Sequence, residues 1–203
     1  MPPAEPHVPL NIVILGPPGA GKGTQGKLIA KDAGIPHVNT GDIFRAECAA
    51  ETELGSKVKS IIDAGDLVPD ELTSEIVRAR LEQDDTSQGF VLDGFPRTLA
   101  QAEALDRALA ASERGDLSVV LDFEVPDEMA VERLLGRASV EGRSDDAPDK
   151  VQHRLDVYHR QTEPLVEYYR ARDLLVPIHA DASVEDVFSE VQQVLSATEQ
   201  ASS

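Results

Sequence analysis

The stretch of sequence that decides the fold reads Gly16-Pro17-Pro18-Gly19-Ala20-Gly21-Lys22-Gly23-Thr24. Glycines at this spacing, followed by a lysine, are typical of a loop that wraps backbone N–H groups around phosphates. An apolar run from Asn11 to Leu15 precedes the loop, and a helical pattern from Gly21 to Ala33 follows it. This order of strand, loop and helix predicts a site for a nucleoside triphosphate.

Each residue type in the loop has a physical task. Glycines adopt backbone angles that are closed to other residues, so the amides point inward, and the helix that begins at Gly21 adds its positive dipole end. Lys22 supplies a flexible positive charge for the β- and γ-phosphates. The usual hydroxyl after the lysine comes one residue later, at Thr24, because Gly23 intervenes. The sequence therefore leaves open whether that hydroxyl ligates magnesium directly.

Composition excludes several function classes. The 203 residues include 19 basic and 37 acidic ones, and the formal net charge of -18 repels nucleic acid and anionic membranes. A phosphate site must therefore be a local cationic pocket. Cys48 is the only cysteine, which excludes an internal disulfide and a cysteine-rich zinc site and fits a reducing compartment. The chain lacks a signal-peptide pattern and a run of ~20 apolar residues, so we expect a cytoplasmic protein.

Short apolar runs alternate with helical patterns, which predicts an α/β fold: a five-stranded parallel sheet of the P-loop NTPase type with helices on both faces. Strands are predicted at 12–15, 36–38, 90–92, 119–123 and 174–178, and helices include 42–50, 53–64, 70–83, 127–135, 149–172 and 184–195. We expect one domain at 10–197, a disordered N-terminal extension at 1–9 and a disordered tail at 198–203. A small lobe at 39–68 and a short lid at 136–146 are expected to be inserted into this domain. The lid segment is polar, has glycines near both ends and shows no apolar periodicity.

A second set of polar residues follows the third predicted strand. Asp93 ends this buried strand and is placed to hold a magnesium ion, through water, beside the nucleotide. Arg97 offers a planar fork that suits phosphate, and Gln101, one helical turn further, has an amide that can pair with a base edge. Two anion-binding groups at one sheet edge predict two phosphorylated ligands that meet there, which is the geometry of phosphoryl transfer.

Four spaced motifs resemble the adenylate kinase family of nucleoside monophosphate kinases. They are Gly-Pro-Pro-Gly-Ala-Gly-Lys-Gly-Thr-Gln at 16–25, Asn-Thr-Gly-Asp-Ile-Phe-Arg at 39–45, Asp-Gly-Phe-Pro-Arg-Thr at 93–98 and Arg-Leu-Leu-Gly-Arg at 133–137. The resemblance covers nearly all of residues 10–195. It implies reversible phosphoryl transfer from Mg-ATP to AMP, giving two ADP. The short segment at 136–146 resembles the short-lid form of the family, without the four-cysteine zinc site.

The resemblance also implies a role for each matched residue. It places ATP at Gly19, Ala20, Gly21, Lys22, Gly23, Thr24, Arg133, Arg137 and, next to the adenine, Ala182. It places AMP at Thr40, Arg45, Asp66, Val68, Gly94, Arg97, Gln101, Arg143 and Arg154, so that 39–68 is the NMP-binding lobe. The implied catalytic set is Lys22, Arg97, Arg133, Arg137, Arg143 and Arg154, with Asp93 toward magnesium. A cis peptide is implied between Phe95 and Pro96.

Two alternatives stay open from the sequence. One is a kinase for another monophosphate such as UMP or CMP, although Thr40 and Gln101 resemble the adenine version. The other is a sensor that binds ATP and AMP without chemistry, against which the number of cations argues. The expected partners are ATP, AMP and ADP, with no nucleic acid and no membrane, and the expected state is a monomer. His37, His153 and His159 lack metal-ligand spacing, so we expect them at the surface.

Overall fold

β1 (Leu10–Leu15) is buried at all six positions because it is the central strand of a five-stranded sheet. The computed structural model describes residues 8–112, 114–141 and 144–201. The strand order is β2-β3-β1-β4-β5, and every neighbouring pair is parallel. The remaining strands are β2 (His37–Asn39), β3 (Gly89–Asp93), β4 (Val119–Glu124) and β5 (Leu175–His179). This arrangement confirms the predicted fold class.

Helices cover both faces of the sheet, and their bounds are α1 (Lys22–Ala33), α2 (Thr40–Ala49), α3 (Glu53–Ala64), α4 (Asp70–Leu81), α5 (Leu99–Ala110), α6 (Asp127–Glu141), α7 (Pro148–Val157), α8 (Pro164–Arg170) and α9 (Val184–Ala201). Alternate residues of β1 supply the two cores. Ile12 packs in the cluster that contains α1 and α9, whereas Val13 packs in the cluster that contains α4, α5 and α8. In the described part of the chain, no helix combines the length and the apolar character that a membrane span requires.

The segment between β2 and α4 has a small core of its own. Phe44, Val58 and Val68 are buried together, and side chains of α2, α3 and α4 pack around them. Two helices in this segment are capped by the side chain that precedes them: Asn39 accepts from the amide of Asp42, and Thr52 accepts from the amide of Gly55. The residues predicted to form a lobe thus bury apolar surface apart from the two cores of the sheet.

The order of the strands decides where a cleft opens. The chain leaves β1 toward β2 and β3 on one side, and later reaches β4 and β5 on the other side. In open parallel sheets, ligands bind outside the carboxyl ends of the strands at the point where the order reverses. The loop that starts at Gly16 follows β1 directly, so it lies at that point.

Two helices extend further than the sequence predicted. α6 continues to Glu141, whereas an irregular lid was expected from Gly136, and α9 continues to Ala201, whereas a disordered tail was expected from residue 198. The prediction relied on missing apolar periodicity, but a helix end that is exposed on most sides needs none. Val140 is 85% exposed, for example. Other parts of these predictions fall on residues 1–7, Gly142, Arg143 and 202–203, which lie outside the described residues.

The long helix predicted at 149–172 is interrupted. A π-helical turn at Tyr158–Thr162 separates α7 from α8, and the amide of Glu163 donates to the carbonyl oxygen of Tyr158 at 3.0 Å. Pro164 explains the interruption, because it has no N–H to continue the regular ladder. Turns of this kind are frequent at functional sites. The Phe95–Pro96 peptide is cis, as the resemblance implied.

We expect opposite effects from the same substitution at two helical glycines. A Cβ at Gly55 would lie 2.1 Å from the carbonyl oxygen of Glu47, so Gly55→Ala should destabilise the protein by about 1–3 kcal/mol. A Cβ at Gly136 meets nothing within 4 Å, so Gly136→Ala should stabilise it by about 0.5–1 kcal/mol. Urea unfolding of both variants measures the difference. Shifts of the two midpoints in the same direction would contradict this packing.

Candidate active site

The loop after β1 owes its shape to glycines in contact with other elements. Gly19 has φ +91°, and a Cβ there would lie 2.4 Å from the carbonyl oxygen of Ala130 in α6. Gly21 has φ +82° and precedes α1, and no side chain caps this helix. The amides of Thr24 and Gln25 donate to the carbonyl oxygen of Gly21. The amides of Lys22 and Gly23 are therefore the ones that an anion could use at the positive end of the helix dipole.

Two neighbouring recesses open at the carboxyl ends of the strands. The larger has a volume of about 780 Å³ and is lined by Gly19, Ala20, Gly21, Lys22, Gly23, Thr24, Asp93, Arg133, Arg137 and Ala182 among the predicted residues. The smaller is lined by Thr40, Asp66, Val68 and Gln101. Arg45, Gly94, Arg97 and Arg154 line both. Every predicted site residue thus borders one of the two recesses, except Arg143, which lies outside the described residues.

Lys22 is folded back onto its own loop. Its Nζ donates to the carbonyl oxygens of Gly16 and Pro17, both at 2.7 Å. Burial of the ammonium group, together with the charges of Arg97 and Arg154 and against the opposing effect of Asp93, lowers the pKa of Lys22 to about 7. A phosphate in the recess would supply the missing negative charge.

Arg97 lies at the border between the recesses. The Nε of Arg97 donates to the carbonyl oxygen of Gly94 at 2.9 Å, and the carbonyl oxygen of Arg97 accepts from the hydroxyl of Thr162 in the π-helical turn at 2.9 Å. Burial lowers the pKa of Arg97 to about 10, and the nearby charge of Arg154 contributes to the decrease. The guanidinium therefore stays charged at neutral pH.

Buried carboxylates hold the arginines on the lid side. Asp146 is fully buried and accepts two hydrogen bonds from Arg137, at 2.6 Å and 2.8 Å, as well as one from Arg154. Asp145 forms a further ion pair with Arg154 at 3.1 Å. Such bidentate contacts fix the planar guanidinium group. Sequence reasoning placed these aspartates only at the end of the polar lid and did not assign them a role.

Two contacts fix the turn that leads from β5 into α9. Arg133 donates to the carbonyl oxygen of Ala180 at 2.8 Å, and Nε2 of Gln25 donates to the carbonyl oxygen of Val184 at 2.9 Å. Gln25 is buried, and its Oε1 has no hydrogen-bond partner among the described residues. Ala182 lies between the two anchored carbonyls. The last residue of the 16–25 motif thus tethers the phosphate loop to this turn, which sequence reasoning missed.

Asp93 is held by two residues of β2. Nδ2 of Asn39 lies 2.5 Å from Oδ2 of Asp93, and Nε2 of His37 lies 3.3 Å from the same oxygen. Burial alone would raise the pKa of Asp93, but these hydrogen bonds and the charge of Lys22 lower it below its ordinary value. Asp93 is therefore a buried carboxylate that remains ionised.

The expectation of a surface position for His37 is wrong, since its side chain is only 11% exposed. It fills space left by Gly26, where a Cβ would lie 2.5 Å from Nε2 of His37. No spacing in the sequence signals this contact, because Asp93 is 56 residues away. His153 and His159 are at the surface, as predicted, with 43% and 39% of their side chains exposed.

Another buried carboxylate, Asp122, lies near the end of β4 beside Leu15 of β1. Burial raises the pKa of Asp122 to about 6, and the charge of Glu124 adds to the increase, while Arg170 and Lys22 oppose it. Sequence reasoning did not single it out. The signal was present, since Asp122 follows a buried apolar run as Asp93 does.

The carboxylate of Asp93 is suited to hold a magnesium ion. Among the described residues, no group of three or more His, Cys, Asp or Glu side chains is arranged to hold a metal. Magnesium commonly binds through one or two carboxylates, with phosphate oxygens and waters as the other ligands. Asp93 fits this pattern because it is ionised and borders the same recess as Lys22.

Comparisons with known proteins agree with this geometry. The sequence model of the adenylate kinase family matches residues 14–174. The chain belongs to the adenylate kinase family. A curated adenylate kinase of Thermobifida fusca is 51% identical over 179 residues, covering 88% of this chain and 94% of the relative. Those of Streptomyces avermitilis and Mycobacteroides abscessus are 45% and 48% identical, each covering 92% of this chain and 97% and 99% of the relatives.

Membership of the adenylate kinase family decides between the alternatives that the sequence left open. The chain is an enzyme of the adenylate kinase type, and neither a kinase for another monophosphate nor a sensor without chemistry is favoured. The alignment with the Streptomyces adenylate kinase spans 214 positions, more than the 203 residues of this chain, so it includes positions that this chain lacks.

The raised pKa of Asp122 predicts how the stability of the fold depends on pH. The pKa of Asp122 in the folded protein, about 6, lies above the ordinary 3.8, so its ionisation destabilises the fold; this penalty develops as the pH rises from the ordinary pKa to about 6 and is constant above that. Asp122→Asn should raise the free energy of unfolding at pH 8 by about 1–2 kcal/mol. This gain is smaller than the whole pKa shift would give, because the carboxyl keeps some contact with water. The gain should shrink toward pH 5. Urea unfolding between pH 5 and 8 measures it.

Asp116→Asn is the matched control, because it removes an exposed carboxylate just before the same strand. Its effect should be small and constant between pH 5 and 8. A gain of Asp122→Asn that does not change with pH would show that the carboxyl titrates normally in the folded protein.

Proposed function

We propose that this chain catalyses the reversible transfer of the γ-phosphoryl group of Mg-ATP to AMP, giving two ADP, at the border between the two recesses. The observation that carries the proposal is the convergence of cations there. Lys22 is close enough to Arg97, Arg154 and Arg137 for each of these charges to lower its pKa. Bound anionic groups such as phosphates would relieve this mutual repulsion.

ATP is assigned to the larger recess and AMP to the smaller one. The glycine loop and the open start of α1 suit the phosphates of ATP, and the anchored turn around Ala182 suits its adenine. The smaller recess offers Arg45 and Arg97 for one phosphate and Gln101 for a base. Arg97 and Arg154 border both recesses, so both phosphate tails are assigned to this border.

The reaction needs no covalent enzyme intermediate. A phosphate oxygen of AMP attacks the γ-phosphorus directly when it is held in line with the leaving oxygen. Lys22, Arg97, Arg133, Arg137 and Arg154 stabilise the negative charge on the moving group, and Arg143 is assigned to the same set. Magnesium, when bound, would neutralise part of the charge on the phosphates. Asp93 would hold it through water, by the oxygen that His37 and Asn39 do not use.

Water must be kept from the phosphoryl group, since it can accept the group in place of AMP. We assign this task to the lid at 136–146. A hydrogen bond from Arg137 to Asp146 connects the two ends of this segment. An anion that binds Arg137 would therefore also move the lid. Closure after both nucleotides have bound would limit hydrolysis of ATP alone.

We further propose a monomer in the cytoplasm whose partners are ATP, AMP and ADP. Cys48 as the only cysteine suits a reducing compartment. The net charge of -18 disfavours nucleic acid and anionic membranes as partners.

The reverse reaction tests the function directly. Protein mixed with ADP and Mg²⁺ should produce ATP and AMP in equal amounts, which chromatography separates. With ATP as donor, AMP should be preferred over UMP, CMP, GMP and dTMP in a coupled spectrophotometric assay. Absence of ATP from the ADP reaction would exclude the proposed activity.

Lys22→Met should reduce kcat by ~10² to 10³ or more, because it removes a positive charge that stabilises the phosphoryl group during transfer. Lys59→Met is the matched control, since Lys59 is exposed on α3 and forms an ion pair with Asp63 one helical turn further along the helix. It should leave kcat unchanged. Near-normal turnover in Lys22→Met would contradict the role of this lysine.

The thermal stability of the same variant tests whether its fold is intact. The pKa of Lys22 is lower in the folded protein, about 7, than its ordinary value of 10.5, so below pH 7 its buried charge destabilises the fold. Lys22→Met should therefore be at least as stable as the parent protein at pH 7, and its advantage should fade as the pH rises toward 10. Thermal unfolding in the absence of nucleotide measures this difference.

A further inference from the structure

The side-chain amide of Gln101 is held at both ends. Its Nε2 donates to Oδ1 of Asp70 at 2.8 Å, and its Oε1 accepts from the backbone N–H of Arg97 at 2.7 Å. Gln101 is 2% exposed and borders the smaller recess, at the start of α5. Asp70 is half-buried at the start of α4, 31 residues earlier in the chain.

These two partners fix which way the amide points. An ionised carboxylate can only accept a hydrogen bond, and a backbone N–H can only donate one. A flipped amide would set its oxygen against the carboxylate of Asp70 and its NH₂ against the N–H of Arg97. Both hydrogen bonds would be lost in a buried place, so the observed orientation is the only one that satisfies both partners.

The fixed orientation leaves a defined pair of groups for a ligand. Each amide has two N–H donors and two acceptor positions on its oxygen. One of each is used by Asp70 and Arg97, so one donor on Nε2 and one acceptor position on Oε1 remain for a ligand. Adenine presents the complement on one edge, with the N6 amino group as donor beside N1 as acceptor. Hypoxanthine and guanine present the reverse, with O6 as acceptor beside N1–H as donor.

We propose that Asp70 is a positioning residue that sets the base selectivity of the acceptor site, because it locks the Gln101 amide in the orientation that pairs with a 6-aminopurine and opposes a 6-oxopurine. This inference rests on the proposed placement of AMP in the smaller recess. Asp70 itself does not need to touch the nucleotide.

Kinetics with AMP and IMP as acceptors test the proposal, because the two bases differ at this edge only in the exchange of donor and acceptor. Asp70→Ala should raise KM for AMP about tenfold, leave KM for ATP unchanged and alter kcat less than threefold. KM for IMP should not rise, so the ratio of kcat/KM for AMP to that for IMP should fall about tenfold. Asp70→Asn should keep most of the selectivity, because its carbonyl oxygen can accept the same bond.

Glu71→Ala is the matched control. Glu71 is the next acidic residue in the first turn of α4 and is exposed, so its loss tests any effect of a negative charge at this helix start. For Glu71→Ala, the ratio of kcat/KM for AMP to that for IMP should equal that of the parent protein. Should Asp70→Ala not fold, Asp70→Ser supports the same comparison, since it keeps a polar side chain that is one bond shorter.

A double-mutant cycle with Gln101→Ala separates positioning from stability. Once Gln101 is removed, Asp70→Ala should have no further effect on the AMP to IMP ratio. Equal losses of kcat/KM for AMP and IMP in Asp70→Ala, or unchanged selectivity in Gln101→Ala, would overturn the inference. Failure of the parent protein to form ATP and AMP from ADP would instead overturn the proposed function.

Discussion

Four positive side chains are held close together at the carboxyl ends of the strands: Lys22, Arg97, Arg137 and Arg154. Lys22 and Arg97 both have lowered pKa values because burial and the neighbouring cations disfavour their charges. The structure offsets this repulsion with carboxylates: Asp93 lies beside Lys22, and the fully buried Asp146 pairs with Arg137 and Arg154. The chain carries a net charge of -18, so this concentration of positive charge is local and opposed to the overall composition.

Much of the fold could be predicted because its signals are local. β1 is a continuous apolar run, the glycines of the next loop are spaced for phosphate, and the helix that follows has a regular pattern, so each element is specified by residues next to one another. Arg97, Arg133 and Arg137 could be singled out for a related reason, since they lie within short motifs at 93–98 and 133–137. The ends of α6 and α9 were missed because exposed helix ends carry no apolar pattern.

The partners of the site residues could not be predicted, because they come from distant parts of the chain. Asp93 is held by His37, 56 residues away, and Gln101 is held by Asp70, 31 residues away. Neither pair has a fixed spacing that a sequence pattern could reveal. A carboxylate that serves as an internal counterion also looks, in an acidic chain, like any other surface acid. Burial distinguishes the two, and burial is a property of the folded protein.

With the nucleotides placed as proposed, their binding would be largely an exchange of acceptors. Lys22 donates to the carbonyls of Gly16 and Pro17, and Arg137 donates to Asp146. Phosphate oxygens would compete for these same donors, so each exchanged bond contributes only the difference between two acceptors. Such exchange suits a reversible reaction, because it avoids holding either nucleotide too tightly. Selectivity must then come from groups whose partners are not exchanged, and the amide of Gln101, fixed from behind by Asp70, is such a group.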